Sequence, residues 1–269
     1  MLWRLFNMLR GGAPDNGDGT FTITHRGRAF RFPIPEGPDL LLNRVRQRGS
    51  FYEPDLLAAC VQAVTGRDGL CLDIGANVGN HSLYLAGVLG RTVMSFEPVP
   101  AYLHLLRRLM ELNPEAAKNV TIVPKALSDA PATLWMSKYD PNNPGTYSVG
   151  DASDEAQEVE ALRLDDHLEA VGLADASIAI MKIDVEGHEA AVLAGAARTL
   201  ERNDCVLTLE ASNTAEFDEI GTQLSPYGFA PVSVHCSTPT VIFAKGAGNA
   251  AHDEIRSHIA KHERKGKSR

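Results

Sequence analysis

The sequence predicts an α/β fold built on a mainly parallel sheet. From residue 70 onward, short apolar runs alternate with helix-length periodic segments, which is the pattern of βαβ units. A turn that contains glycines, "DIGANVG", follows the first of these apolar runs, where open α/β sheets bind their ligands. The chain has 269 residues, of which 44% are hydrophobic, and this is enough to bury the core of one main domain.

The amino-terminal residues are expected to form a cover on this domain. Residues 1–10 place apolar side chains at helical spacing, which predicts a short amphipathic helix that packs on the domain rather than a membrane-surface anchor. Residues 20–32 alternate apolar and polar side chains around "HRGR" and predict a β-hairpin. Residues 50–64 predict a helix that begins with a capping box formed by Ser50 and Glu53.

The core elements follow in regular order. Strands are predicted near residues 70–74, 92–97, 119–127, 177–185 and 205–212. Helices are predicted near residues 79–90, 100–113, 189–202 and 214–225. A terminal antiparallel hairpin is predicted from residues 229–236 and 239–246, with its turn at "STP". We therefore divide the chain into an extension (1–49), a main domain (50–246) and a charged tail (247–269).

Two segments depart from this order. Residues 130–165 are rich in Pro, Gly, Asn, Asp and Ser, and we predict a long loop there rather than a layer of sheet. This loop is expected to be a lid over an acceptor, with four hydrogen-bonding residues: Asn143, Thr146, Tyr147 and Ser148. The charged tail has few large apolar residues, so a frayed helix or a disordered end is predicted.

The composition excludes several classes of function. A formal net charge of -8 opposes a nucleic-acid partner, because phosphate neutralisation needs a broad basic surface. No segment is apolar enough for a membrane span. The four cysteines form no CxxC or CxxH pair, so no zinc site is indicated, and packed, reduced thiols are expected at Cys71 and Cys205. This cysteine usage predicts a reducing, cytoplasmic location.

The "DIGANVG" turn selects between nucleotide ligands. Gly75 and Gly79 leave the backbone open to a ligand, but the spacing is not GxGxxG and the phosphate-binding lysine of a P-loop is missing. Asp73 would repel a pyrophosphate, whereas it suits a ligand that carries an ammonium and a sulfonium centre. S-adenosylmethionine is such a ligand.

Further acids follow the later strands. Glu97 ends the second core strand, where an acid can accept hydrogen bonds from both ribose hydroxyls. Five ionisable residues then lie at the end of the strand near 177–185 and the start of the next helix: Lys182, Asp184, Glu186, His188 and Glu189. Five such groups in eight residues are too many to bury unpaired, so this strand end is expected to face the same crevice as the turn.

A set of motifs in order resembles the FkbM family of S-adenosylmethionine-dependent methyltransferases. The motifs are "YEP" (52–54), "LDIGANVGNHSLYLA" (72–86), "FEPVP" (96–100), "ALSD" (126–129), "LDDHL" (164–168), "MKIDVEGHEAAVLAGA" (181–196) and "LTLEAS" (207–212). The resemblance covers roughly residues 50–245. It implies a class I methyltransferase with a Rossmann-like, seven-stranded, mainly parallel sheet, an antiparallel last strand and helices on both faces.

The resemblance also implies site residues and an activity. Four residues would hold the methionine part of S-adenosylmethionine: Asp73, Gly75, Asn77 and Gly79. Glu97 would bind the ribose, and Ser128 and Asp129 would lie near the adenine amino group. The implied reaction is O-methylation of a hydroxyl on a sugar, a polyketide or another small metabolite, so the partner would be a small-molecule or glycan acceptor.

Methyl transfer to oxygen needs alignment of the acceptor and removal of its proton. His188 is the predicted base, because imidazole titrates near neutrality, and Asp184 or Glu186 would orient it or replace it. A Mg²⁺-assisted variant that uses Asp184 and Glu210 is the less favoured alternative. Two other functions stay open: an NAD-dependent oxidoreductase, and a non-catalytic module that only binds the cofactor.

Overall fold

The computed structural model describes residues 12–35, 39–140, 143–153 and 156–266. The strands in chain order are β1 (Thr20–His25), β2 (Arg28–Pro33), β3 (Leu70–Ile74), β4 (Val93–Phe96), β5 (Val120–Val123), β6 (Ala126–Leu127), β7 (Ala132–Asp140), β8 (Asn143–Gly150), β9 (Gln157–Leu162), β10 (Ile178–Ile183), β11 (Val206–Glu210), β12 (Phe229–His235) and β13 (Thr240–Lys245). The α-helices are α1 (Leu40–Arg48), α2 (Pro54–Val64), α3 (Asn80–Leu83), α4 (Pro100–Leu112), α5 (Pro114–Ala117), α6 (Leu164–Ala170), α7 (Glu189–Gly195), α8 (Ala197–Arg202), α9 (Thr214–Leu224) and α10 (His252–Gly266). A π-helical turn (Tyr84–Val88) continues α3, and a 3₁₀ turn (Ser225–Tyr227) follows α9.

Seven strands form the central sheet in the order β12-β13-β11-β10-β3-β4-β5. All neighbours from β11 to β5 are parallel, and β13 runs antiparallel to both β11 and β12. β3 and β10 are buried along their whole length because helices cover both faces of a parallel sheet. The predicted mainly parallel sheet with a reversed last strand and a terminal hairpin is confirmed.

The amino-terminal hairpin is also confirmed, and it belongs to the core. β1 pairs with β2 from Thr20 opposite Pro33 to His25 opposite Arg28. Its inner face joins an aromatic cluster in which the ring of Phe51 lies 5.1 Å from both the Phe30 and the Tyr84 rings. Each such aromatic pair adds about 0.5–1.5 kcal/mol beyond simple burial, so the hairpin is fixed to the main domain.

The prediction of a long loop over residues 130–165 is wrong. β7, β8 and β9 lie there and join β6 in a second sheet with the order β6-β9-β7-β8. Only the face of this sheet that packs on the core needs apolar residues, and the buried side chains of that face include Met136, Val159 and Ala161. The other positions are polar, and for that reason the composition resembles that of a loop. The strand predicted over residues 119–127 is correspondingly divided between the two sheets, as β5 and β6.

Helix boundaries differ from the predictions at two places. Ser50 and Glu53 form no capping box: α2 begins at Pro54, and Glu53 has a left-handed backbone (φ 51°) and caps nothing with its side chain. The helix predicted over residues 189–202 is interrupted at Ala196. Gly195 there lies so close to the carbonyl of Ser128 that a β-carbon would overlap it.

Helix α1 is an addition to the predicted elements, although it carries the usual signals at both ends. The Asp39 carboxylate accepts a hydrogen bond from the Leu42 amide (2.7 Å), and Gly49 ends the helix in the left-handed conformation. Helices α5 and α6 are further additions, and both are too short to show a clear period in the sequence. The helix predicted over residues 1–10 lies outside the described residues.

The tail is helical, as one of its two predicted alternatives states, but the helix is docked on the domain rather than frayed. Residues 252–266 form α10, whose Ile255 and Ile259 are buried in the core beside α9 and β12. Two apolar residues at i and i+4 are enough to dock an otherwise charged helix. The predicted buried, reduced thiols of Cys71 and Cys205 are confirmed. Across the described ranges, no helix combines the length and the apolar character that crossing a bilayer requires.

Candidate active site

A cavity of about 410 Å³ opens at the carboxyl ends of the central strands. The ends of β3, β4, β10 and β11 form its floor, and α1, the segment before α2, the second sheet and the β12–β13 turn form its walls. Among the described residues, six carboxylate side chains and three cationic side chains line it: Asp39, Glu53, Glu97, Asp184, Glu186 and Glu210, with Arg44, Lys125 and Lys182. The cavity therefore carries an excess of acidic groups.

The turn after β3 takes its shape from contacts with neighbouring elements. Gly75 (φ 74°) has no space for a β-carbon because the Asp184 carbonyl fills that position. Gly79 (φ 91°) is packed against the Leu106 side chain of α4. Gly75 lines the cavity and Gly79 does not. Contact with the Asp184 backbone thus requires glycine at position 75, and the positive φ favours glycine at position 79.

Asp73 lies beneath the cavity and not on its wall. Its side chain is fully buried, and Oδ2 accepts a hydrogen bond from the Ser82 hydroxyl (2.5 Å). Lys182 Nζ lies 3.4 Å from Asp73 Oδ1 and 3.4 Å from Asp184 Oδ2, and it donates to the Gly75 carbonyl (2.6 Å). Lys182 therefore lies between Asp73 and the cavity. Its positive charge offsets the electrostatic effect that Asp73 would have on a ligand.

Glu97 is a cavity residue that also holds the turn. Its two carboxylate oxygens accept hydrogen bonds from the amides of Asn77 (2.7 Å) and Val99 (2.8 Å). The first of these bonds fixes Asn77 in a left-handed conformation (φ 51°), and Asn77 lines the cavity too. Burial raises the pKa of Glu97 to about 7. Each oxygen keeps a lone pair that can accept from a ligand hydroxyl.

The acids that follow β10 and β11 crowd one another. Burial, together with the nearby Asp184 carboxylate, raises the pKa of Glu186 to about 7 and that of Glu210 to about 9. Glu186 has a left-handed backbone (φ 53°), which is unusual for a residue with a side chain. Such crowding is relieved when a positively charged ligand enters.

His188 lines the cavity at the start of α7, together with Asp184 and Glu186, so the three predicted catalytic residues share one cavity. His188 Nε2 lies 3.0 Å from the Ser128 hydroxyl, which in turn donates to Asp129 (3.0 Å). Burial lowers the pKa of His188. Ser128 and Asp129 are not among the residues that line the cavity, and Ser128 contacts it through His188.

Glu53 and His81 are cavity residues to which the sequence analysis assigns no role in the site. Glu53 Oε2 lies 3.6 Å from His81 Nε2, and both side chains line the cavity. The "YEP" motif could have indicated a site role for Glu53. The spacing between Ser50 and Glu53 favours the interpretation as a helix cap. His81 lies within the turn motif and carries no separate signal.

The second sheet forms one wall of the cavity and contacts α4 there. The Tyr147 ring on β8 meets the Tyr102 ring at 5.6 Å, edge to face, and Met136 and Val149 line the same wall. Tyr147 is thus the one predicted lid residue with a described side chain on the cavity wall. Ser148 is absent from that wall, and the side chains of Asn143 and Thr146 lie outside the described part of the chain.

No group of three or more His, Cys, Asp or Glu side chains is arranged to hold a metal ion within the described residues. Asp184 and Glu210 both line the cavity, as the Mg²⁺ alternative supposes. They form only a pair, and Lys182 lies close to Asp184. The donor set of this pair therefore does not fit a divalent cation held by the protein alone.

The family model described as the methyltransferase FkbM domain matches residues 73–266. Among solved structures, the chain is similar to methyltransferase FkbM from Methylobacillus flagellatus KT, with 14% identity, a TM-score of 0.50, and coverage of 76% of this chain and 52% of that chain. It is also similar to precorrin-6y C5,15-methyltransferase from Geobacter metallireducens GS-15, with 16% identity, a TM-score of 0.42, and coverage of 70% and 86%. No curated protein matches the chain significantly.

The chain spans about half the length of the Methylobacillus structure, and at this identity the likeness concerns the fold, which is that of class I methyltransferases. The family match begins at Asp73, includes Glu97 and the acids that follow β10 and β11, and extends through α10, beyond the limit near residue 245 that the sequence motifs indicate. It favours the methyltransferase prediction over an NAD-dependent oxidoreductase. Because the match spans most of the chain and contains most of the cavity floor, this protein belongs to the FkbM methyltransferase family.

Proposed function

We propose that this protein transfers a methyl group from S-adenosylmethionine to a hydroxyl group of a small-molecule or glycan acceptor. The observation that carries the proposal is the acid-rich cavity at the carboxyl ends of β3, β4, β10 and β11. A cavity with this charge favours a ligand with positive centres and disfavours a diphosphate. When bound, S-adenosylmethionine would supply an electrophilic methyl group on a positively charged sulfur.

The residues of the cavity wall fit the parts of such a ligand. The backbone of Gly75 and the side chain of Asn77 would meet the methionine part, close to Asp184. Glu97 would accept hydrogen bonds from the ribose hydroxyls with the lone pairs that its backbone bonds leave free. Asp73 and Gly79 would act indirectly, since they set the position of Lys182 and of the turn.

The adenine would lie beside the segment that follows β5. Three residues there line the cavity: Lys125, Ala126 and Leu127. Tyr147 and Val149 of β8 and Met136 of β7 would close over this part, which gives the second sheet a role as a cover for the nucleoside. Ser128 and Asp129, predicted beside the adenine, would instead hold His188.

The walls around the acid-rich end suit a polar acceptor. The Ser212, Ser237 and Thr238 hydroxyls line the cavity together with Glu53 and Glu210. Hydroxyl and carboxylate groups are the usual partners of sugar and polyol hydroxyls. This supports transfer to oxygen on an acceptor that carries several hydroxyl groups.

Calorimetric titration with S-adenosylmethionine and with NAD tests the cofactor. We expect binding of the first and none of the second, and the reverse result would contradict the proposal. The reaction is tested with methyl-tritiated S-adenosylmethionine and a panel of sugars, phenols and aliphatic alcohols. Transfer of tritium to an alcohol supports O-methylation. Tight binding without transfer to any member of a broad panel favours the non-catalytic module.

A further inference from the structure

We propose that Glu53 takes the proton of the acceptor hydroxyl and relays it to His81. This inference rests on the proposed function and names the groups that complete its chemistry. Glu53 belongs to the segment before α2 and His81 to the first turn of α3, so two separate parts of the chain bring the pair to one wall of the cavity.

The unusual feature of this wall is the histidine nitrogen. The His81 side chain is nearly buried, with 8% of the residue exposed, and its Nε2 has no hydrogen-bond partner in the described part of the chain. Glu53 Oε2, at 3.6 Å, is an ion-pair neighbour that is too distant for a hydrogen bond. A buried ring nitrogen without a partner costs free energy, and a proton shared with Glu53 would remove that cost.

The backbone holds both residues in place through their neighbours. The Tyr52 amide donates to Asn80 Oδ1 (2.9 Å), and Asn80 Nδ2 donates to the Tyr52 carbonyl (3.3 Å). Tyr52 directly precedes Glu53, and Asn80 directly precedes His81. Two reciprocal hydrogen bonds therefore join the two chain segments from which the carboxylate and the imidazole extend.

Glu53 is also held in a strained conformation. Its φ of 51° lies in the left-handed region, which costs a residue with a side chain about 1–3 kcal/mol. Two other non-glycine residues with positive φ, Asn77 and Glu186, line the same cavity. Strained residues that gather around one cavity are typical of functional sites, because the surrounding structure must maintain them.

Burial keeps the His81 imidazole neutral at rest, and the carboxylates around it would stabilise the imidazolium once a proton arrives. Burial and the Lys182 ammonium lower the pKa of His81, and the Asp73, Glu53 and Asp184 carboxylates oppose that effect. By contrast, His188 Nε2 is already in contact with the Ser128 hydroxyl. Of the two histidines that the structure describes on the cavity wall, His81 is therefore the one whose Nε2 is available for a proton.

In the proposed step, the acceptor oxygen bonds to the methyl carbon while the sulfur–methyl bond breaks and its electron pair stays on sulfur. The hydroxyl proton passes to a carboxylate oxygen of Glu53 and then to His81 Nε2, which leaves an imidazolium beside a carboxylate. Glu53 is the catalytic residue in this scheme, because it lines the cavity and would contact the acceptor, and His81 is the positioning residue that receives the proton behind it.

The first experiment requires no acceptor. Histidine-labelled protein is titrated by NMR with and without S-adenosylhomocysteine, as wild type, as Glu53→Gln and as the control Glu111→Gln, a surface glutamate on α4. We expect Glu53→Gln to lower the pKa of His81, because it removes a facing carboxylate, and Glu111→Gln to leave that pKa unchanged. Identical His81 titration in all three proteins would overturn the pairing. Failure of S-adenosylhomocysteine to bind would contradict the proposed function alone.

The second experiment measures single-turnover methyl transfer to the alcohol that takes up most tritium. We expect Glu53→Gln to lower the rate at saturating substrates by about 100-fold or more, with the dissociation constant of S-adenosylmethionine changed less than about twofold. Glu53→Asp should recover part of the rate, and His81→Gln should lower the rate and displace its pH profile. A full rate in Glu53→Gln, or a loss confined to His188→Gln, would overturn the assignment and return the role to His188.

Discussion

Gly75 and Asp184 meet backbone to backbone between the ends of β3 and β10. A β-carbon on Gly75 would lie well under 3.0 Å from the Asp184 carbonyl oxygen, and the preceding residue, Ile74, accepts a hydrogen bond from the Asp184 amide (3.1 Å). This contact joins the turn after β3 to the segment that carries the acids of the proposed acceptor end. A change at one strand end is therefore transmitted directly to the other.

Gly75→Ala should destabilise the protein by about 3 kcal/mol or more, because it adds overlap to a left-handed backbone. It should also abolish binding of S-adenosylmethionine. Urea denaturation and calorimetry measure the two effects. Gly221→Ala is the matched control: Gly221 lies inside α9, and a β-carbon there would meet no atom within 4 Å, so alanine should be neutral or stabilising. Equal stability of the Gly75→Ala and wild-type proteins would contradict the contact.

Glu97→Ala should weaken binding of S-adenosylmethionine at least tenfold, a loss of about 1.4 kcal/mol or more. The change removes the proposed ribose acceptor and leaves the Asn77 amide without the carboxylate that it donates to. Calorimetric affinity is the measurement, and Glu111→Ala on the surface of α4 is the control. An unchanged dissociation constant in Glu97→Ala would remove Glu97 from the cofactor site.

Lys182→Met should destabilise the protein by about 3–5 kcal/mol, because it leaves the fully buried Asp73 charge without its cation. The double variant with Asp73→Asn should recover much of that stability, since both charges are then removed. Asp73→Ala alone should weaken S-adenosylmethionine binding at least tenfold, as it releases the lysine. If the effects of Lys182→Met and Asp73→Asn, each measured singly, were simply additive in the double variant, the buried pair would be disproved.

Binding of S-adenosylmethionine should tighten as the pH rises from about 6 to about 9. The pKa values of Glu97 and Glu186 are raised to about 7, and that of Glu210 is raised to about 9, by burial and, for the last two, by Asp184. Deprotonation across this range makes the cavity more negative and improves its match to a cation. Calorimetry at several pH values checks the trend, and affinity independent of pH would contradict it.

The free energy of unfolding of the ligand-free protein should decrease as the pH rises over the same range. A carboxyl whose pKa is raised on folding binds its proton more tightly in the folded state, so its contribution is complete below its unfolded pKa and is lost as the pH rises through the folded pKa. For Glu210 this window runs from the ordinary pKa of 4.5 to about 9. Glu210→Gln should therefore be more stable than wild type at pH 9, with a smaller difference at pH 5. Urea midpoints measure this, and a constant difference would refute the assignment.

Local spacing in the sequence is sufficient to predict the central sheet, and the resemblance of the motifs is sufficient to predict the family. Alternation of apolar runs and periodic segments reports which residues must be buried, and it places the parallel strands, the five helices predicted within residues 50–225 and the terminal hairpin. The motifs around Gly75, Glu97 and Asp184 also identify the edge of the sheet that carries the cavity. These features depend on neighbours in the chain, which the sequence displays directly.

The partners of the polar residues become visible only when the chain is folded. Asp73 meets Lys182 from a neighbouring strand, Ser128 meets His188, and Glu53 meets His81. The second sheet is hidden in the sequence for a similar reason, because only one of its faces is apolar and its polar positions look like those of a loop. Whether a carboxylate makes a cavity negative or is neutralised by a buried lysine depends on partners that are distant in the chain. Local spacing in the sequence carries no information about those partners.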